Sequence, residues 1–99
     1  MDVALLYFDG CPHWALADAR LRKALELAGH ADIEVTYRKI ETPEQAWDAR
    51  FRGSPTVLVN GRDPFASATE DFGMTCRRYA TPDGWQGSPS VEQLVEALR

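Results

Sequence analysis

Hydrophobic positions change their spacing several times along the chain, and each change marks an element. Val3 to Phe8 is a short apolar run closed by Asp9-Gly10. A run without alternation predicts a strand covered on both faces, as in a parallel or mixed sheet. From His13 to Ala28 the spacing becomes helical. Trp14, Ala17, Leu21, Ala24, Leu25 and Ala28 share one face, while Asp18, Arg20, Arg22, Lys23 and Glu26 fill much of the remainder. Gly29 supplies the stop. Ile33, Val35 and Tyr37 then alternate with Glu34, Thr36 and Arg38, which predicts a second strand.

Thr42-Pro43-Glu44-Gln45 combines a capping hydroxyl, a proline suited to the first helical position and a glutamine that closes a capping box. It predicts a short helix to about Arg50 that packs Ala46 and Trp47. Gly53-Ser54-Pro55 breaks it, and Thr56 to Val59 reads as a third strand. Asn60-Gly61 is a hairpin turn signal. Arg62 to Gly73, with Pro64 and the acidic pair Glu70-Asp71, reads as a loop before a returning strand at Thr75 to Ala80. That strand ends at the turn Pro82-Asp83-Gly84, with Trp85 in the loop beyond. Ser90-Val91-Glu92-Gln93 is a second capping box, opening a helix with Val91, Leu94, Val95 and Leu98 inward. The order β-α-β-α-β-β-α predicts one α/β domain over residues 1–99. Its core is a four-stranded mixed sheet flanked by helices, early strands parallel and the late pair antiparallel.

Composition narrows the function. A chain of 99 residues supports one small core. A net charge of −4 argues against nucleic acid as the main partner. No apolar run approaches the roughly 20 residues of a membrane span. The start Met1-Asp2-Val3-Ala4-Leu5 lacks the basic stretch and cleavage pattern of a secretory signal. Two distant cysteines are too few for a disulfide scaffold. The expectation is a cytoplasmic protein in a reducing compartment. The sequence offers no phosphate loop, no His/Cys cluster and no Ser-His-Asp set, so neither a metal nor a bound cofactor is expected.

The chemistry concentrates at Cys11, in Phe8-Asp9-Gly10-Cys11-Pro12-His13-Trp14. This run joins the first strand to the first helix. A sulfur there is expected near the free N–H groups of the helix, whose dipole favours the thiolate. Pro12 fixes the turn, and His13, two residues on, is positioned to tune the thiol or move a proton. The alternative for Cys11 is a buried structural cysteine; for His13, a solvent-facing first-turn residue. Trp14 stands where a Cys-Pro-x-Cys motif has its second cysteine. It either lines a substrate groove or packs into the core.

That element order, with Cys-Pro at the first strand–helix turn and Gly53-Ser54-Pro55-Thr56 before the third strand, resembles the thioredoxin-like superfamily. More narrowly, Gly61-Arg62-Asp63-Pro64-Phe65 and Cys76-Arg77-Arg78-Tyr79 are similar to segments of short single-domain members that carry Cys-Pro-x-Trp. Such members are labelled thioredoxin family and, in places, alkylmercury lyase. The resemblance implies a cis-proline at Pro55 lying against Cys11. It also implies that Ser54, Pro55, Thr56 and Trp14 form the substrate-binding edge, the backbone of Ser54 being free to pair with an extended peptide or a glutathione-like thiol.

The function implied is a thiol–disulfide oxidoreductase of monothiol, glutaredoxin-like type, with Cys11 as nucleophile. It would act on a small-molecule or protein thiol or disulfide. Trp14 cannot resolve a mixed disulfide, which leaves three routes. A low-molecular-weight thiol acts as cosubstrate, Cys76 supplies the second thiol, or redox activity is lost and the fold only binds. Handling of an organomercurial is a weaker alternative. If Cys76 opens the returning strand, strand pairing sets it opposite Leu58 or Val59, at the far end of the sheet from Cys11. Arg62, Arg77 and Arg78 are either solvated surface charge or carboxylate anchors for a cosubstrate.

Overall fold

The computed structural model describes residues 1–66 and 72–99, so the acidic pair Glu70-Asp71 lies outside the described residues. Strand β1 (Val3–Tyr7) occupies the middle of a three-stranded sheet. It runs parallel to β2 (Val35–Lys39), pairing Val3 with Val35 and Tyr7 with Lys39. It runs antiparallel to β3 (Thr56–Val59), pairing Val3 with Val59 and Leu6 with Thr56. The parallel crossover is made by helix α1 (Trp14–Leu27). Helix α2 (Pro43–Asp48) connects β2 to β3, and α3 (Val91–Ala97) closes the described chain.

The unbroken apolar run of β1 is accounted for by burial on both faces. Val3, Leu5 and Val57 pack against Ala17, Leu21, Ala24 and Leu25 of α1 and against Leu94 and Leu98 at α3. On the other face Leu6 packs with Ile40, Ala46 and Phe51. The α1 face follows the helical spacing: Ala17, Leu21, Ala24 and Leu25 are its buried residues. Both hydroxyl caps form, but the box at Thr42 does not close: the Gln45 side chain accepts from the N–H of Glu41 at 2.7 Å and not from that of Thr42. The Thr42 hydroxyl accepts from the N–H of Gln45 at 3.1 Å, and the Ser90–Gln93 box is reciprocal. Trp47 departs from expectation. It is 64% exposed, because only Ala46 of that helix reaches the sheet while Trp47 turns outward toward the ring of Phe72.

The C-terminal half corrects the four-stranded expectation. Asn60-Gly61 does make a two-residue turn, with both residues at positive φ and Val59 and Arg62 exchanging backbone hydrogen bonds. No strand returns along β3 from it among the described residues. Instead β4 (Tyr79–Thr81) and β5 (Gly84–Gln86) form a separate two-stranded hairpin, with Trp85 on β5 rather than in a loop. The turn residues Pro82-Asp83 sit inside this hairpin and do not end the strand region. Side chains tether it. Arg20 on α1 donates to Gln86 and to the carbonyl of Pro89, Gln93 on α3 donates to the carbonyl of Ala80, and the Tyr79 hydroxyl donates to the carbonyl of Pro55.

Arg77 accounts for the difference. A strand along β3 was expected to carry its cationic side chain toward solvent; in the structure Arg77 is buried. Its guanidinium meets Asp63 at 2.6 Å and donates to the carbonyl of Phe65 at 2.7 Å. Desolvated charges hold only when paired and hydrogen-bonded, so this contact fixes the path of the chain on both sides of it. Arg77 is therefore not a cosubstrate anchor, whereas Arg62 and Arg78 are exposed.

Replacing Leu5 by Ala should lower the unfolding free energy by about 2–5 kcal/mol, read from urea denaturation. The side chain is fully buried between β1 and α1, where the sheet has little freedom to collapse onto a void.

Candidate functional site

Cys11 is set by a turn. Its N–H donates to the carbonyl of Phe8 at 3.3 Å, closing Phe8-Asp9-Gly10-Cys11 at the end of β1. Gly10 fits here because a Cβ would stand 2.9 Å from the ring of Phe8. The turn swings the cysteine inward, and Cys11 is completely buried. Helix α1 begins three residues later, with His13 at its N-cap position. The sulfur of Cys11 does not take a helix N–H among the described hydrogen bonds; it donates to the carbonyl of Ser54 at 3.3 Å.

Ser54 precedes Pro55, and the peptide bond between them is cis. Both residues are buried. The Ser54 hydroxyl accepts from the N–H of Phe8 at 3.4 Å, which ties the start of β3 to the end of β1. The antiparallel register makes this meeting unavoidable, since Leu6 lies opposite Thr56. The expected approach of Pro55's segment to Cys11 is therefore present.

The expected openness is not. The N–H of Ser54 donates to the carbonyl of Thr75 at 2.7 Å, and its carbonyl accepts from the N–H of Arg77 at 2.9 Å. The chain's own segment 75–77 thus occupies the backbone that was expected to be free for a peptide or small thiol. Thr56 is equally committed. Its hydroxyl donates to the carbonyl of Gly53 at 2.6 Å, and it is buried. Trp14, half-buried, stacks on Tyr7 with ring centroids 4.4 Å apart and packs against the α1 core.

The same bridge relocates Cys76. Ser54 and Cys76 are partners in a parallel β-bridge, so Cys76 lies beside the start of β3 and not opposite Leu58 or Val59. Two features produce this. The buried Arg77 pulls the segment inward toward Asp63, and Gly53 admits its backbone. Gly53 has φ +119°, and a Cβ there would stand 2.9 Å from the Thr75 carbonyl oxygen. Gly53 and Arg77 were missed as site-building residues. The readable signal was a glycine directly before Ser-Pro, in a position where a β-branched strand residue would otherwise fit.

The two thiols flank one residue: the Cys11 sulfur donates to the Ser54 carbonyl, and Cys76 is bridged to Ser54. The Cys76 pKa is raised, first by side-chain interaction with Cys11, then by desolvation and the charge of Cys11. Both cysteines are free, Cys11 buried and Cys76 exposed. Cys76 sits between two clefts. One, of about 530 Å³, is lined by His13, Arg20, Arg78 and Trp85 among others; the second, of about 390 Å³, includes Arg52, Phe72 and Thr75. Arg77 and Arg78 border both. His13 is packed against Gly87, whose absent Cβ would fall 2.4 Å from the imidazole Cγ. It faces the cleft beside Cys76, and no hydrogen bond joins it to Cys11 among the described residues. Pro12 is exposed.

Among the described residues no group of three or more His, Cys, Asp or Glu side chains could hold a metal ion, and no helix is long and apolar enough to cross a membrane. Comparison with family models, curated proteins and solved structures finds no match to the chain.

A raised pKa means that Cys76 keeps its proton to higher pH than a free thiol does, and only the thiolate alkylates. The Cys76 alkylation rate, followed by peptide mass spectrometry with iodoacetamide, should therefore reach half its maximum above the pH found for a cysteine peptide. In Cys11→Ala the neighbouring thiol is gone, and the midpoint should move down toward the peptide's.

Proposed function

We propose that the chain is a thiol–disulfide oxidoreductase on a thioredoxin-like fold, of glutaredoxin-like kind, in which Cys11 attacks a disulfide sulfur. The observation that carries this reading is the setting of the Cys11 sulfur. It lies at the strand–helix turn, against the carbonyl that precedes cis-Pro55, on a residue to which Cys76 is also bridged. A cysteine kept only for packing needs apolar neighbours; this one has an oxygen acceptor. The substrate is a disulfide of a small molecule or a protein, in a compartment where thiols stay reduced.

The Ser54 carbonyl accepts the Cys11 S–H in the resting state, and the turn from Phe8 to Cys11 holds the sulfur in place. Pro12 and His13 continue that turn into α1. Cys11 exchanges its proton for a bond to sulfur and returns to the thiol at the expense of a low-molecular-weight thiol or dithiol. The complete burial of Cys11 favours a second reading, a redox-inactive binding module whose clefts beside Cys76 hold a partner.

Turnover of bis(2-hydroxyethyl) disulfide, supplied with a thiol reductant, separates the two. The wild-type chain should catalyse the exchange and Cys11→Ser should lose it. Equal rates for both proteins would overturn the assignment to Cys11, and no rate above the uncatalysed exchange in the wild type would favour the binding module.

A further inference from the structure

Cys11 has no solvent-exposed surface, yet exchange requires a disulfide to approach the attacking sulfur in line. Its neighbour Cys76 is exposed and borders two clefts. The main chain holds both cysteines to the same residue, Ser54. Ser54 is hydrogen-bonded through both its N–H and its C=O to residues 75 and 77, while the Cys11 sulfur bonds that same C=O. One peptide unit therefore fixes both cysteines. Behind it, the buried Arg77–Asp63 pair and the close approach of Thr75 and Arg77 to Gly53 hold the segment that carries Cys76.

We propose that Cys11 and Cys76 are a redox pair, with Cys76 the sulfur that meets the substrate and Cys11 the sulfur that resolves it into an intramolecular disulfide. This rests on the oxidoreductase reading; it moves the first attack on the substrate from Cys11 to the exposed Cys76 and gives Cys11 the resolving step in place of a small-thiol cosubstrate. The Cys76 thiolate attacks a substrate disulfide RSSR, forming Cys76–S–S–R and releasing RS⁻. The Cys11 thiolate then attacks the Cys76 sulfur; the S–S bond between that sulfur and SR breaks, a second RS⁻ leaves, and the Cys11–Cys76 bond forms. The pair is oxidised by two electrons and RSSR is reduced by two. The two thiol protons pass through solvent to the two released thiolates. A dithiol reductant reverses the protein's change through a mixed disulfide at the exposed Cys76, regenerating both thiols. The spacing is unlike a Cys-x-x-Cys site, whose two sulfurs share one helix turn. Here one sulfur comes from the first strand–helix turn and the other from a segment far along the chain, joined only across the Ser54 bridge.

The test is oxidation of the reduced protein by oxidised glutathione, followed by alkylation and peptide mass spectrometry. Wild type should yield a cross-linked peptide containing Cys11 and Cys76, lighter by two hydrogens than the separate peptides, with no retained glutathione. Cys11→Ser should hold a stable glutathione adduct on Cys76. Cys76→Ser should lose bis(2-hydroxyethyl) disulfide turnover, its far-UV circular dichroism confirming that it folds. Stable glutathionylation of wild type without the cross-link would overturn the proposal. Full turnover by Cys76→Ser with glutathione as reductant would overturn the pair and leave Cys11 as a monothiol site. Failure of wild type to exchange at either sulfur would overturn the pair together with the oxidoreductase reading.

Discussion

The buried ion pair between Arg77 and Asp63 is the contact on which the site's shape depends. Both side chains are almost wholly withdrawn from solvent. Bringing charges inside is costly, and the cost is offset only by close pairing and added hydrogen bonds. Asp63 receives Arg77 at 2.6 Å, and the Phe65 carbonyl takes another of its N–H groups. Tyr79, two residues on, lies under the guanidinium and bonds the carbonyl of Pro55. This cluster joins the turn after β3 to the segment before β4. It directs residues 75–77 beside Ser54 and away from the free edge of β3.

From that contact the chemistry follows in order. Segment 75–77 can approach Ser54 only because Gly53 lacks a side chain. Ser54, already held to β1 by Phe8, then carries both main-chain hydrogen bonds of the bridge. Cys76 arrives beside the one carbonyl that accepts from Cys11. A strongly buried electrostatic contact thus sets the distance between two thiols it does not touch.

What could be read from the chain divides along the range of the forces involved. The Thr42 and Ser90 caps, the α1 face and the limits of β3 are local, because each depends on residues within one or two turns of one another. Cys11 was legible at the change from strand to helical spacing, and its meeting with Pro55 through the family resemblance that the two motifs carry. The hairpin of β4 and β5, the outward turn of Trp47 and the inward turn of Arg77 were not. A strand that leaves the sheet differs from one that joins it only by a long-range partner, here Asp63 for Arg77. The sequence also pointed to an open Ser54 backbone, since nothing near Ser54 in the chain names the residues that close it.

The outer strand β2 carries a separate consequence. Among the described residues its order in the sheet leaves one flank without a neighbour, and four of its five residues are exposed. An unpaired strand edge is a template on which a second chain can stack by hydrogen bonding. Here successive positions are Arg38 and Lys39, and Lys39 is drawn to Asp9 at 2.6 Å. A copy docking edge to edge would have to desolvate both cations against their own like charges. The molecule thereby guards the flank of its sheet farthest from β3 against pairing with a second copy.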